Sequence, residues 1–422
     1  LGDGYVEALR DVWQDVPESA DFVMYWWHKA AVEVGAGSAS RFGLITTNSL
    51  TMTYNRRVVE ARLTSRHPVH LAFAIPDHPW VDSAQGAAVR IAMTVCSKGI
   101  GEGTLQTVVE ESVAAEAEAR TVALTANQGA IHANLAIGVN VAKASQLAAN
   151  GSISAMGMIL VGAGFLIEAD DPLRLAEPDR IHPYLNGKDL TQRSRDVYVI
   201  DMYGLGIDEV RRRFPQCFQR LLDRVKPERD VSKDKSLREN WWLFRRTNIQ
   251  LRQAIAGLRR YIGTTETAKH RLFSFIDGSV TPDQKIRVIG CDDAVILGVL
   301  SSNLHVDWSL ATGGTLEDRP VYNNTTCFET FPFPADDTGL TPALAERIRT
   351  LAEQIDAHRK ARQAEHEAVT LTGLYNVLAK LRRGEVLTTK EKVLHSQGLV
   401  GVLQSLHDEL DAAVLAAYGW SD

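Results

Sequence analysis

The hydrophobic pattern of the first hundred residues predicts a helical start followed by the strands of a buried sheet. Residues 1–34 carry apolar side chains at helical spacing, most clearly in ADFVMYWWHKAAVEV, and the glycines of GAGS end the helix. Apolar runs in RFGLITTNSL, HLAFAI and AAVRIAMTV predict three strands, with a short helix, RRVVEARLTSR, after the first. This order predicts an α/β fold, with half of a doubly wound sheet over residues 1–100. A loop joins the last two strands, so antiparallel pairing is open to them.

The middle of the chain predicts a connector and then an α+β domain. Residues 101–173 are predicted to be a connector, because the piece 121–167 is apolar, dotted with glycine and typical of short strands. Residues 174–335 mix short helices and strands, and RENWWLFRR is predicted to open a helix that runs to about Arg260. The segments YIGTTETAKHRLFSFI, QKIRVIGC and AVILGVLSSN are predicted to be strands or strand–turn units.

Residues 336–422 change in character and predict a helical module of about three helices. Leu344, Ile348 and Leu351 lie on one helical face, and Pro342 stands near the helix start, where proline is tolerated. Thr388 and the glutamate three residues later predict a capping box at a later helix. No heptad pattern is sustained, which favours a docked module over a coiled coil.

Composition indicates an ordinary globular protein of the cytoplasm. Hydrophobic residues make up 45% of the 422 residues and charged residues 23%. Four scattered cysteines fit a reducing compartment and argue against a structural zinc site, so we expect no metal. No apolar run reaches the roughly 18–20 residues of a membrane helix, so we expect no membrane partner. Because the sequence begins with Leu1, we expect a fragment or a processed chain.

Positive charge is concentrated in one part of an acidic chain. The formal net charge is −6, but residues 174–271 contain 22 lysines and arginines against 13 acidic residues. Such a basic segment can follow a phosphate backbone, although a solvated, salt-bridged surface would have the same composition. Within it, Arg245 and Arg246 follow two tryptophans; we expect the tryptophans in the core and an arginine on a phosphate.

Two polar loops of this region contain further candidates for contact with nucleic acid. GTTETAKH contains Thr265, Glu266 and Lys269, and GGTLEDRPVYNN contains Glu317 and Arg319. Arginine binds guanine with two hydrogen bonds and glutamate accepts one from cytosine N4, so an E-x-R pair on an extended segment suits base recognition. The alternative is an internal salt bridge in a surface loop.

Candidate pocket residues precede or follow apolar segments near the amino terminus. Thr47 and Asn48 end the GLITTN strand, where open α/β sheets bind ligands, although both residue types also serve turns and helix caps. Asp21 precedes an apolar helix and is a candidate either for its N-cap or for a pocket. Trp80 follows Pro76 and Pro79 in a stiffened loop, where it either plugs the edge of the core or faces a ligand.

Several segments, in order, resemble the downstream part of MmeI-like (type IIL/IIG) single-chain DNA adenine-N6 methyltransferases. They are ADFVMYWWHKA, RFGLITTNSLTM, FAIPDHPWVDSAQGAAVRIAM, HPYLNGKDL, VLSSNLHVDW with VYNNTTCFETFPFP, and the helices from LTGLYNVLAKLRRGE to LHDELDAAVLAAYGW. The resemblance covers nearly the whole chain. The family's glycine-rich cofactor loop and Asn-Pro-Pro-aromatic catalytic loop are missing from this sequence, and we expect both upstream of Leu1.

The resemblance implies an S-adenosyl-L-methionine-dependent DNA methyltransferase of a restriction–modification or phage-defence system. Residues 1–100 would be the C-terminal half of the methyltransferase domain, residues 174–335 the DNA target-recognition domain, and the missing N-terminal half of the methyltransferase domain a partner. Such enzymes extract the base from double-stranded DNA, so Trp80 would stack on the flipped base while Thr47 and Asn48 line its pocket.

Further roles follow from the resemblance. Asp21 is the candidate for a cofactor contact, and the segment that ends in Tyr322 would carry base-reading side chains. A DNA-specificity subunit that pairs with a separate methyltransferase is the alternative function, and an α/β enzyme that does not act on DNA is a more distant one.

Overall fold

The chain folds into two compact units. The computed structural model describes residues 2–80, 89–113, 120–316 and 319–420. Unit 1 comprises residues 1–145 together with 311–315, and unit 2 comprises residues 146–310 and 316–422. Both mix helices with sheet, so the α/β class predicted from the hydrophobic pattern holds at this level.

Unit 1 is built on a mixed sheet of five strands in the order β1-β3-β2-β4-β5. The pairs β1–β3, β3–β2 and β4–β5 are antiparallel and β2–β4 is parallel, so the antiparallel pairing of the two strands around Trp80 is confirmed. A doubly wound methyltransferase half sheet stays a prediction. The elements are α1 (Asp3–Val12), α2 (Val23–Ala36), β1 (Arg41–Thr47), α3 (Thr53–Leu63), β2 (Val69–Pro79), β3 (Arg90–Lys98), β4 (Gly103–Val113) and β5 (Arg120–Gly129).

Helix α2 packs against the sheet through its apolar face. Trp27 is fully buried, lies edge-on to Phe42 at 5.3 Å between ring centroids, and donates from Nε1 to Thr94 Oγ1 at 3.2 Å. Its neighbour Trp26 is 57% exposed, since adjacent helical residues point about 100° apart. Gly37 adopts φ +90° and ends the helix, as its position after the apolar stripe predicted.

Unit 2 contains two four-stranded sheets and many short helices. One sheet has the order β11-β10-β13-β6 and the other β12-β8-β9-β7. The elements before the helical module are β6 (Ser154–Met156), β7 (Leu166–Ile167), α4 (Leu173–Ala176), β8 (Ile181–Leu185), α5 (Gly187–Thr191), β9 (Val197–Ile200), α6 (Ile207–Arg213), α7 (Pro215–Arg224), α8 (Lys226–Asp230), α9 (Lys235–Glu239), α10 (Ile249–Ile255), β10 (Arg260–Thr265), β11 (Ser274–Asp277), β12 (Thr281–Pro282), β13 (Ile286–Ile289), α11 (Ala294–Ser301), α12 (Asn303–Thr312), β14 (Gly314–Leu316) and β15 (Arg319–Val321). The end of α12 and most of β14 fall in the 311–315 segment, which belongs to unit 1.

The last part of unit 2 is helical, as predicted. Its helices are α13 (Pro342–Glu365), α14 (Leu371–Arg382), α15 (Thr389–Gly398) and α16 (Val400–Ala417). Thr388 and Glu391 form the expected capping box, and Pro342 occupies the first turn of α13. A buried apolar cluster joins these helices to α11. In the part of the chain that is described, no single helix has the length and apolar composition needed to cross a membrane.

Four local predictions are wrong, each for a physical reason. The helix expected from RENWWLFRR to Arg260 is broken, because Asn248 turns to φ +45° and residues 240–248 form turns and a bridge. AVILGVLSSN is a buried helix, which a continuous apolar run cannot distinguish from a strand. The 101–173 connector contains the long β4–β5 hairpin. The module has four helices, because Leu399 at φ +44° separates α15 from α16.

Candidate nucleic-acid interface

Trp80 stands directly after β2 and is substantially exposed to solvent. Its indole is 46% exposed, and its backbone N–H donates to the Val89 carbonyl at 3.0 Å, which closes the loop between β2 and β3. The indole is therefore not enclosed in the core, and its role as a stacking platform stays a prediction. An exposed indole beside a strand end can stack on a flat ligand, and the intervening residues 81–88 lie outside the described chain.

Five residues around the end of β1 are called here the strand-end cluster: Asp21, Thr47, Ser49 and Asn55, which are linked by hydrogen bonds, and Asn48, which lies between Thr47 and Ser49 in the chain. Ser49 Oγ lies 2.6 Å from Thr47 Oγ1 and donates to Asp21 Oδ2 at 2.6 Å. Asn55 Nδ2 donates to the same Oδ2 at 2.9 Å, and its Oδ1 accepts from the Asp21 backbone N–H at 2.8 Å. Three residues selected from the sequence therefore lie close together, their roles in a pocket stay predictions, and Ser49 and Asn55 were not selected.

The strand-end cluster extends to β2 and β3 through an ion pair. Asn48 Nδ2 donates to Asp77 Oδ1 at 3.0 Å, and Arg90 Nε donates to the same oxygen at 2.7 Å. Arg90 also reaches Glu111 Oε1 at 2.8 Å. Asp77 lies three residues before Trp80, so the cluster and the exposed indole share the β2 end of the sheet.

Asp21 does not cap α2, although capping was the simpler interpretation of its position. The N-cap residue of α2 is Phe22, whose side chain makes no capping bond, and the Asp21 carboxylate turns to Ser49 and Asn55. Asp21 thus acts as an acceptor that orients the strand-end cluster.

In unit 2, Arg245 and Arg246 line a concave surface of about 600 Å³, called here the arginine cleft. Both side chains are exposed, and their backbone N–H groups bond to the carbonyls of Leu160 and Ile159 at 3.4 Å each. Arg245 Nε lies 3.8 Å from Asp234 Oδ2, an ion pair weak enough to be exchanged for a phosphate. Both arginines are thus accessible to a ligand, and the expected phosphate contact stays a prediction.

The core positions beneath these arginines are set by aromatic residues. Trp241 is buried against Phe218 at 5.8 Å between ring centroids, as expected, and Trp242 donates from Nε1 to the Leu205 carbonyl at 3.0 Å. Asn248 donates from Nδ2 to the Met156 carbonyl at 2.5 Å and its Oδ1 accepts from the N–H of Leu251. The arginines therefore project from a turn that is fixed at both ends.

The other wall of the arginine cleft contains residues that sequence reasoning had not selected. Asn323, Asn324 and Thr325 line it, and a π-helix begins at Asn324. Short π-helical segments occur often at functional sites. Asn324 Oδ1 is buried without a hydrogen-bond partner among the described residues. The amides of the YNN sequence were the available signal, because asparagine side chains suit hydrogen bonding to base edges.

Two of the predicted DNA-contacting residues are buried, so these predictions are wrong. Thr265 lies in β10 opposite Ile286, and its side chain is buried. Tyr322 is buried with its hydroxyl 2.9 Å from His305 Nε2, and burial raises the pKa of this phenol. The polar residues of GTTETAKH and VYNN suggested loops. In the fold, strand pairing buries Thr265 and the aromatic core buries Tyr322.

Glu266 has a structural partner that sequence could not show. Its Oε2 accepts from Lys285 Nζ at 2.6 Å, and its Oε1 pairs with the largely buried guanidinium of Arg287. Burial lowers the pKa of Arg287, an effect that Glu266 opposes. Glu266 therefore neutralises a buried cation at the floor of the arginine cleft and does not project toward a ligand.

The remaining predicted residues differ in accessibility. Lys269 is exposed and donates to Asn376 Oδ1 at 2.8 Å. Arg319 is exposed and opens β15. Glu317 lies outside the described residues, so the proposed E-x-R pair is described only at Arg319. Among the described residues, no group of three or more His, Cys, Asp or Glu side chains is placed to hold a metal ion.

Comparison with known proteins identifies the domain that carries the arginine cleft. The profile of the MmeI target recognition domain matches residues 158–335. The type IIL restriction-modification enzyme MmeI, solved in complex with DNA, aligns with a TM-score of 0.73 and 20% sequence identity. The alignment covers 100% of this chain and 53% of the MmeI chain, so this chain spans about half of MmeI. At that identity the likeness shows the fold alone.

Two other comparisons give no further information about this chain. The type IIG restriction endonuclease BpuSI aligns over 99% of this chain and 53% of its own, but with a TM-score of 0.30 and 10% identity. No curated protein sequence matches this chain. The resemblance inferred from the sequence is nevertheless confirmed by the domain profile and by the MmeI fold. Residues 158–335 of this chain match the target recognition domain of MmeI, and the chain has the fold of the aligned part of MmeI.

Proposed function

We propose that this chain supplies the DNA-sequence-reading part of an S-adenosyl-L-methionine-dependent DNA adenine-N6 methyltransferase of a restriction–modification or phage-defence system. The observation that carries the proposal is the arginine cleft, because most of its lining residues belong to the segment matched by the MmeI target recognition profile. Exposed Arg245 and Arg246 suit the phosphates of double-stranded DNA, and the Asn323–Thr325 wall suits base edges.

In this proposal unit 1 contributes to the pocket for the target base. Trp80 is the stacking platform for an adenine swung out of the duplex, and Thr47 and Asn48 line the approach to it. The exposed indole and the neighbouring hydrogen-bonded cluster support this assignment. The side chains of Asp21, Ser49 and Asn55 keep Thr47 oriented, so they are positioning residues.

The methyl donor belongs to the intact enzyme and not to an assembled site in this chain. Asp21, the candidate for a cofactor contact, has its Oδ2 atom occupied by Ser49 and Asn55. The N-terminal half of a methyltransferase domain remains the proposed partner of unit 1.

The alternative is a DNA-specificity subunit that acts with a separate methyltransferase polypeptide. Both functions use the arginine cleft in the same way. They differ in whether an Asn-Pro-Pro-aromatic sequence is encoded in frame before Leu1, which sequencing of the gene decides.

Salt dependence of duplex binding tests the DNA-reading role. Measured by fluorescence anisotropy, the affinity of the chain is expected to fall steeply with salt, with a log–log slope of about −0.9 for each neutralised phosphate. The double variant Arg245→Gln/Arg246→Gln is expected to reduce that slope by up to about 1.8, while Lys392→Gln, which removes an exposed charge from α15, leaves it unchanged. A flat salt response of the unaltered chain would exclude this function.

Methylation in cells tests the enzymatic half of the proposal. Methylome sequencing with and without the intact gene is expected to show N6-methyladenine at one short motif only when the gene is present. Methylation that disappears only when a second gene is also deleted would favour the specificity-subunit alternative.

A further inference from the structure

A second concave site lies in unit 2, between the loop before β11 and helices α11, α12, α13, α14 and α16. This site, called here the cationic cavity, has a volume of about 270 Å³. Four cationic side chains line it, and among the described residues no carboxylate does. The four are Lys269, Arg271, Arg359 and Arg382.

The positive charge of the cationic cavity is only partly compensated. Arg359 Nη2 lies 3.4 Å from Asp356 Oδ1, and Arg382 Nη2 lies 2.9 Å from Asp408 Oδ1. Arg271 instead donates to the backbone carbonyls of Thr265 and Pro320, with no ion pair to any described carboxylate. Lys269 donates to a neutral amide. Two of the four cations therefore lack a counter-charge in the described chain.

Three buried donor groups of the same lining have no acceptor. The Nε atoms of Arg271 and Arg359 and the Oγ atom of Ser301 make no hydrogen bond among the described residues. Arg271 is 8% exposed and Arg359 1% exposed, so water access to these groups is slight. Buried donors without partners cost free energy, and a charged donor costs the most. Three of them around one cavity indicate that an anionic acceptor belongs there.

The two histidines of the cavity add no charge to it at pH 7. Burial, with the charges of Arg359 and Arg382, lowers the pKa of His407 to about 3. Burial also lowers the pKa of His270, which donates to Asn376 Oδ1 at 2.9 Å alongside Lys269. Both imidazoles are neutral at pH 7, so the cavity potential comes from lysine and arginine alone.

We propose that the cationic cavity binds a phosphoryl group. A phosphoryl group offers several acceptor oxygens to donors that approach from different sides, and arginine and lysine are its usual ligands. Its source is either a free phosphate or nucleotide, or the backbone of DNA. The inference goes beyond the DNA-reading role, because it concerns a site distinct from the arginine cleft and does not require that role.

Isothermal titration calorimetry of the whole chain with inorganic phosphate tests the site. Saturable binding of one phosphate per chain is expected, with the affinity reduced at least tenfold in Lys269→Gln and in Ser301→Ala. Lys392→Gln is the matched control and is expected to bind as the unaltered chain does. Circular dichroism melting confirms that the variants fold; the buried Arg271 and Arg359 are left intact for that reason.

Two further titrations identify the source of the phosphoryl group. If DNA is the source, inorganic phosphate competes with duplex, and Lys269→Gln weakens both. If a nucleotide is the source, AMP binds more tightly than phosphate and duplex affinity is unaffected by AMP. Absence of saturable phosphate binding, or binding that neither Lys269→Gln nor Ser301→Ala weakens, would refute the proposal. Arg245-dependent duplex binding would survive that result, so the two proposals fail separately.

Discussion

Unit 1 and the target recognition domain of unit 2 differ in the exposure of their aromatic residues. Unit 1 buries Trp27 but leaves Trp26, Tyr54 and Trp80 exposed on its surface. The target recognition domain of unit 2 has its aromatic residues inside, as Tyr322 shows. Because large exposed rings are unfavourable in water unless something covers them, the difference teaches that aromatic residues act as core in the target recognition domain, whereas some of those in unit 1 are available for contact.

Polar residues show the reverse contrast. In unit 1 the strand-end cluster is mostly accessible, whereas unit 2 encloses charged groups such as Arg229, Arg287 and Arg359. Nη2 of Arg229 donates to the carbonyls of Leu160 and Val161 at 2.6 Å, and these hydrogen bonds stabilise the buried guanidinium. Buried hydrogen bonds therefore help to hold the fold of unit 2. Removing one of them should also displace nearby surface residues.

The largest expected effect comes from the tryptophan pair of α2. Trp27→Ala should destabilise unit 1 by about 3–5 kcal/mol, because a buried indole is replaced by a cavity. Trp26→Ala, one residue away and exposed, should change stability by less than about 0.5 kcal/mol. Hydrogen exchange of the β1–β3 amides measures both, and equal effects of the two changes would contradict the assigned helix face.

Glu266→Gln should destabilise unit 2 by about 3 kcal/mol, because it leaves Arg287 buried without its counter-charge. Glu239→Gln, which removes one partner of the exposed Lys235 ion pair in α9, should cost less than about 0.5 kcal/mol. Urea unfolding followed by intrinsic fluorescence compares them. A Glu266→Gln protein of unchanged stability and weakened duplex affinity would restore the DNA-contact role first expected for this residue.

Trp80→Ala should leave stability unchanged and weaken the extruded-base state by about 1–3 kcal/mol. Fluorescence of 2-aminopurine placed at the target adenine reports base flipping in the intact enzyme. Trp80→Phe should retain much of the signal, since a smaller aromatic face remains, and Trp26→Ala serves as the exposed control in the same unit. Full flipping in Trp80→Ala would remove this residue from the base pocket.

Acid should destabilise unit 2 more than unit 1 through two buried histidines. Burial lowers the pKa of His305 to about 3, as it does for His407, with positive charges nearby assisting. The unfolded chain then binds more protons as pH falls below about 6.5, so stability is highest above that value and decreases down to about pH 3.

Between about pH 7.5 and about pH 6, the expected loss is roughly 1 kcal/mol for each histidine. Chemical unfolding across this interval measures it. His407→Gln should flatten the dependence of unit 2, and His67→Gln, an exposed change in unit 1, should not. A pH response identical in both variants would show that other groups dominate.

Sequence patterns predicted the parts of the fold that depend on local chemistry. The capping box at Thr388, the glycine that ends α2 and the strands on either side of Trp80 follow from nearest neighbours along the chain. The break at Asn248 and the split at Leu399 depend on tertiary contacts that force a left-handed backbone, so no periodicity announces them.

The candidate site was predictable to the same degree. Arg245 and Trp80, both of which are exposed, were selected because a cluster of charges and a proline-stiffened loop can be recognised in the sequence. Thr265 and Tyr322 were misjudged because burial depends on which strands become partners. The lining of the cationic cavity was not foreseen as a site at all, since it gathers Lys269, Ser301 and Arg359 from positions far apart in the sequence.

Strand β1 forms one margin of the unit 1 sheet, with β3 as its hydrogen-bonded neighbour on the inner side. Backbone groups along an outer margin are free to accept another strand, whether from the same polypeptide or from a second molecule. Preparations of this chain at high concentration should therefore self-associate through β1 first. The substitution Ile45→Lys should reduce this self-association, because the side chain of Ile45 is exposed in the middle of β1.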